Sequence, residues 1–215
     1  RRQRQMCIRD SPYLTLIDNM CKGNESVKVG AQNCSSYERG AFTGEVSTEM
    51  LKSLGIEYVI IGHSERREFF SEDNKTLHDK VELSLANKIT PIFCCGETLE
   101  VRNKGTHKDF VLSQLQETIY NLSADDFSKV IIAYEPIWAI GSGMTASIDD
   151  IQEMHSAIRS SIKTNYGSAI SRNTSILYGG SVKPINAKDI FDLEDVNGGL
   201  IAVSYTHLRA HETKR

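Results

Sequence analysis

The sequence has 215 residues, 40% of them apolar, with 25 Lys and Arg against 28 Asp and Glu and a net charge of −3. That balance excludes a disordered chain, which would be poor in apolar residues and strongly charged, and a nucleic-acid binder that relies on overall basic charge. No run approaches the roughly 18 consecutive apolar residues of a membrane span, and barrels of about 250 residues form single domains, so one domain is expected.

The chain opens with RRQRQMCIRD, which is basic but has no apolar centre and no small-residue cleavage site, so it does not read as a secretory signal. The β-rich runs then follow at 27–32, 58–62, 91–95, 130–134 and 176–178, with a last one starting near Leu200. Most are continuously apolar rather than alternating, as in strands buried on both faces of a parallel sheet. Helical patterns lie between them. Residues 110–122 place Val111, Leu115 and Leu122 near one face, and 148–162 place Ile148, Ile151, His155, Ile158 and Ile162 on one stripe. Ser123 with Asp126, and Ser147 with Asp150, are the expected helix starts. The five cysteines, Cys7, Cys21, Cys34, Cys94 and Cys95, are odd in number and none of their spacings reads as a zinc site. A reduced, cytoplasmic chain without a metal is expected.

Alternating strands and helices predict right-handed βαβ units, in either a doubly wound open sheet or a barrel. A dinucleotide-binding sheet would carry G-x-G-x-x-G after its first strand, and none is present. Glycines instead follow several strands, as Gly62, Gly96, Gly141 with Gly143, and Gly179 with Gly180. Polar residues gathered at many strand ends are what a barrel active site requires.

Three strand ends carry candidate chemistry. After 58–62 come His63, Ser64, Glu65, Arg66 and Arg67. A helix starting behind His63 would favour a neutral imidazole, and Glu65, Arg66 and Arg67 read as bracing groups. After 130–134 comes Glu135, a carboxylate at the end of a buried strand, which is costly unless paired or functional. Pro136 at one end and Gly141-Ser142-Gly143 at the other frame an apolar segment that could close as a lid. After 176–178, Gly179-Gly180-Ser181 offers backbone N–H groups to an anion.

The segments VGAQNCSSYERGAFTGE, IIGHSERREFF, AYEPIWAIGSG and LYGGSVKP, in this order along the chain, resemble the triosephosphate isomerase family over about residues 12–201. The resemblance implies a (β/α)8 TIM barrel, a homodimer, triose phosphates as substrates and no cofactor. It implies Glu135 as catalytic base, His63 as neutral electrophile and 136–146 as the lid. Gly141 and Ser181 would bind the substrate phosphate. Glu65 would be a buried acid beside the site, Tyr178 would hold the closed lid, and Thr43 would reach across the dimer.

The chain also departs from the family pattern. SPYLTLIDNMCKG resembles the helix after the second strand, so about six of eight strands are expected, with strands 1 and 2 and the last helix missing. No residue can be assigned to the family's strand-1 Asn and Lys. Ala202 and Val203 stand where a Gly-Gly pair would hold phosphate, and Gly198 and Gly199 are expected to precede the last strand. Residues 1–11 and 202–215 read as foreign tails around a partial barrel at 12–201. A catalytically inactive barrel with a binding or structural role is the second reading, which the intact Glu135, His63 and lid oppose. Another phosphate-binding barrel enzyme would have to account for the whole lid segment.

Overall fold

The computed structural model describes residues 11–140 and 144–201. The described elements are a short 3₁₀ turn Ser11–Tyr13, α1 (Leu14–Cys21), β1 (Gly30–Ala31), α2 (Thr48–Ser53), β2 (Tyr58–Ile61), α3 (Ser64–Phe69), α4 (Asn74–Ala86), β3 (Thr90–Cys95), α5 (Leu99–Asn103), α6 (His107–Thr118), α7 (Ala124–Phe127) and β4 (Ile131–Tyr134). They continue through a second 3₁₀ turn Ile137–Ala139, α8 (Ile148–Asn173), β5 (Ile176–Tyr178), α9 (Ala187–Phe191) and β6 (Gly198–Gly199). The chain divides into two compact units, one running up to Cys94 and taking in Gln114–Ile131, the other made of Cys95–Ser113 and the chain from Ile132 onward.

The first unit carries β1, β2 and nearly all of β3, paired in parallel and in chain order, with Gly30 opposite Tyr58 and Tyr58 opposite Thr90. Its core is the apolar face of these strands and their helices: Leu51, Ile56, Val59, Ile61, Leu77, Val81 and Phe93 are fully buried. The second unit repeats the pattern. In it β4 pairs with β5 and β5 with β6, all parallel and again in chain order. Ile132, Tyr134, Ile151, Met154, Ile158, Ile162, Ile176 and Tyr178 fill its core. Neither unit shows the reversal of strand order that a doubly wound sheet requires.

Helix starts follow local chemistry. Ser147 Oγ accepts from the Asp150 amide and Asp150 Oδ2 accepts from the Ser147 amide, both at 3.1 Å, so α8 opens on a reciprocal cap. Ser123 caps α7 through the Asp126 amide. The expected stripe on α8 is buried at Ile151, His155, Ile158 and Ile162, whereas Ile148 is exposed. α8 also runs on past Ile162 to Asn173, broken at Gly167, whose φ of 84° is left-handed.

Two boundaries differ from expectation. The first strand is confined to Gly30–Ala31 rather than 27–32. Gly198 and Gly199 do not precede the last strand; they are that strand, pairing with Leu177 and Tyr178. Asn197 fixes this register from outside the ladder, its Oδ1 accepting from the Ile176 amide at 2.9 Å. Among the described residues no helix is long and apolar enough to cross a membrane.

Candidate active site

In the first unit, β2 ends at Ile61 and the chain turns at Gly62, where φ is +79° and an added Cβ would lie 3.1 Å from the Cys94 carbonyl. Glycine tolerates that conformation and that contact. His63 follows as the N-cap of α3, its Nδ1 accepting from the Glu65 amide at 3.3 Å. An accepting Nδ1 places the proton of the neutral ring on Nε2. A cavity of about 500 Å³ lies beside it, lined in part by Gln32, Asn33, Glu45, His63, Glu65 and Arg66. Thr43 sits exposed in the turn that contributes Gly44 to the same cavity.

Glu65 differs from the buried acid that the resemblance implies. Its side chain is 73% exposed, with Oε2 lying 3.8 Å from His63 Nδ1. The bracing ion pairs pass through another carboxylate. Glu72 Oε1 accepts from Arg66 Nε and from Lys80 Nζ, each at 2.6 Å, and Lys80 also reaches Asn33 Oδ1 at 2.8 Å. Two cations make the burial of Glu72 tolerable. Arg67 braces the turn itself, donating to the Gly62 carbonyl at 3.1 Å and to Asn74 Oδ1 at 2.8 Å.

In the second unit, Glu135 follows β4 and is 2% exposed. Its amide donates to the Cys95 carbonyl at 2.8 Å. Two glycines leave it room. A Cβ on Gly96 would stand 1.8 Å from the Glu135 carbonyl oxygen, and one on Gly179 would stand 2.8 Å from Glu135 Cγ. Strand pairing and the bare Gly96 thus place the backbone of this residue, and the bare Gly179 lies against its side chain.

Glu97 is fully buried next to this strand end, and sequence reasoning missed it. Its Oε1 accepts from Tyr134 OH at 3.0 Å, Trp138 Nε1 at 2.8 Å and Arg102 Nη1 at 3.2 Å. Arg102 lies over the Trp138 ring, 4.9 Å from its centroid, and bonds Asp150 in the cap of α8. Burial first, then the Glu97 carboxylate, push the Tyr134 phenol well above its ordinary range, so it remains a donor. The network ties the residue before Glu135 to the start of the expected lid, where Trp138 stands in the turn Ile137–Ala139. The signal was available: Glu97 follows an apolar strand and a glycine, as a carboxylate at a buried strand end.

Tyr178 ends β5 fully buried, and its hydroxyl would be 2.2 Å from a Cβ on Gly180, a point also 2.9 Å from Pro136 Cγ. Burial, then the charge of Asp150, push its phenol up to about 12. Ser181 is half-buried in the following loop, which Asn186 holds by donating to the Ser181 carbonyl at 3.3 Å and accepting from the Lys183 amide at 2.7 Å. Glu135, Tyr178 and the Gly179–Gly180 backbone therefore meet in one unit. His63, Glu65 and Thr43 belong to the other. Gly141, with residues 142–143 of the expected lid, lies outside the described residues. Among the described residues no group of His, Cys, Asp and Glu is placed to hold a metal ion.

Parallel βα units in chain order, with their ionisable and glycine-rich segments at the C-terminal ends of the strands, define an α/β enzyme of the barrel class. The family model described as Triosephosphate isomerase matches residues 3–211, a wider span than the 12–201 read from the motifs. The chain is 56% identical over 196 residues to triosephosphate isomerase of Cytophaga hutchinsonii, covering 91% of this chain and 77% of that protein. It is 55% identical over 175 residues to that of Bacteroides fragilis, covering 81% and 69%, and 54% identical over the same length to that of Phocaeicola vulgatus. The chain belongs to the triosephosphate isomerase family. Its fold is accordingly the α/β TIM barrel, of which six strands are described.

Proposed function

We propose that this chain carries the site of a triose-phosphate isomerase, interconverting dihydroxyacetone phosphate and D-glyceraldehyde 3-phosphate in glycolysis and gluconeogenesis. The observation that carries the reading is Glu135, a buried carboxylate held at the end of a parallel strand with glycine backbone against its Cγ. Such a group is costly to bury and suits a general base. In this reading Glu135 takes a proton from the carbon next to the substrate carbonyl, leaving an enediolate, and returns it to the neighbouring carbon. His63, with its proton on Nε2, gives that proton to the oxygen that was the carbonyl and takes one back from the neighbouring hydroxyl, so that the proton on oxygen moves across the enediolate. Gly141 and Ser181 bind the phosphate, Tyr178 holds the closed lid at 136–146, and the lid keeps water from the intermediate. Thr43 reaches into the partner's site of a homodimer, and Glu65 supports His63; its exposure here fits a position covered by that partner. The enzyme is cytoplasmic. Residues 12–201 form its partial barrel, and 1–11 and 202–215 are tails foreign to it.

The test is steady-state kinetics of Glu135→Asp in the complete enzyme. Removing one methylene retracts the base by about an ångström, and a displacement of that size costs about 100-fold in rate. The fall should lie in kcat, with KM nearly unchanged. Unchanged turnover would remove Glu135 from the role of base.

A further inference from the structure

His155 was noted in the sequence only as one member of an apolar stripe, and the reaction described above does not use it. It is fully buried on α8. Its Nδ1 lies 3.2 Å from the Asp195 carbonyl oxygen, to which it donates in the neutral ring. Its ring stands edge-on to Tyr134, with centroids 5.8 Å apart and planes at 86°, and tilts against Tyr178 at 6.3 Å. One imidazole thus touches both tyrosines that border Glu135. Tyr134 ends β4 directly before Glu135, and its hydroxyl donates to Glu97, which also accepts from Trp138. The hydroxyl of Tyr178 stands beside Pro136, the residue after Glu135, close to the Gly180 backbone.

Successive residues of a strand face opposite ways. Tyr134 can therefore meet α8 while Glu135 faces the other side, and pressure on Tyr134 sets the backbone from which Glu135 projects. The Asp195 carbonyl has a second donor beside the nitrogen that clamps the ring, accepting from Arg159 Nη2 at 3.2 Å.

We propose that His155 is a positioning residue for the base: its ring, set between Tyr134 and Tyr178, fixes the end of β4 so that Glu135 meets substrate in one geometry. This rests on the role given to Glu135 above.

The experiment compares three variants of the complete enzyme with its wild type. His155→Asn keeps a donor for the Asp195 carbonyl and removes the ring. His155→Phe keeps a ring and removes the donor. Ile162→Ala deletes a fully buried side chain two turns along the same helix and serves as the control for lost stability. His155→Asn should lower kcat about tenfold or more with KM unchanged, as expected of a slightly misplaced base, while His155→Phe and Ile162→Ala keep kcat within about threefold of wild type. If His155→Asn does not fold, His155→Leu, apolar and without a planar ring, is read by the same criterion. Equal kcat in the ring-less variant and the control, or a lost kcat in His155→Phe, would overturn the proposal. Glu135→Gln in the same assay separates the two readings: if it retains full activity, the base assignment fails, whatever His155 does.

Discussion

Gly179 and Gly96 each lack the one carbon that would collide with Glu135, but at different atoms. An added Cβ meets the side chain at Gly179 and the backbone carbonyl at Gly96. Overpacking of this kind costs about 1–3 kcal/mol when neighbours can shift, and more when they cannot. Gly179→Ala is therefore expected to fold and, with Glu135 in its proposed role as base, to lose about 100-fold in kcat. Gly96→Ala, blocked by backbone at 1.8 Å, is expected to lose several degrees of melting temperature as well. Thermal melts beside kinetics check both, and a fully active Gly179→Ala would show that Glu135 has more freedom than its surroundings allow. At this scale the sequence was readable wherever a single rule applied. A carboxylate after a buried strand marked Glu135, and the same rule, applied after Cys95, would have marked Glu97. The partnership of Glu72 with Lys80 and Asn33 was not readable, because Asn33 and Lys80 are 47 positions apart and meet only once β1, α3 and α4 have packed. The exposure of Glu65 was not readable either, since residue type alone does not say which face of a short helix is covered.

At the scale of the element, α8 shows why local signals carry far. Its cap was visible as Ser147 and Asp150, and its buried face as an apolar stripe at helical spacing. Its continuation was hidden by Gly167, whose non-helical backbone kinks the chain between two helical stretches. The histidine within that stripe gives α8 a pH response. Burial, opposed by the bond and charge of Asp195 and aided by Arg159, pulls the imidazole from its ordinary 6.5 down to about 4. The folded chain thus refuses a proton that the unfolded chain accepts between these values. Stability contributed here is complete above pH 6.5, falls as pH drops towards about 4, and levels off below that. Between pH 7 and pH 5 the loss should be about 2 kcal/mol. Urea unfolding of wild type and His155→Phe at the two pH values measures it, and the expected result is a smaller pH dependence in the variant by that amount. Equal slopes would mean that the folded ring titrates as it does in the unfolded chain.

At the scale of the whole molecule, four motifs in a fixed order were enough to point to the family, because each holds a strand end and the loop that works from it. Strand boundaries were less legible: two-residue strands such as β1 and β6 leave almost no period to detect. Both have one strand neighbour among the described residues, and open edges expose unpaired N–H and C=O groups. With the partial-barrel reading proposed above, the 215-residue chain expressed alone is expected to give no measurable isomerase turnover and to associate through these edges. Size-exclusion chromatography with a coupled assay decides it, and a soluble, active dimer would contradict the reading.

The placement of Trp138 has an optical consequence. It is the single tryptophan of the sequence, and its indole N–H is bound to a buried carboxylate while a guanidinium lies across its face. Indole emission responds to just such neighbouring charges. Any rearrangement of the segment after Pro136 that parts Trp138 from Glu97 and Arg102 would change the colour and intensity of the light this chain emits. The segment proposed as a lid thus carries its own fluorophore, readable on the timescale of mixing without a label.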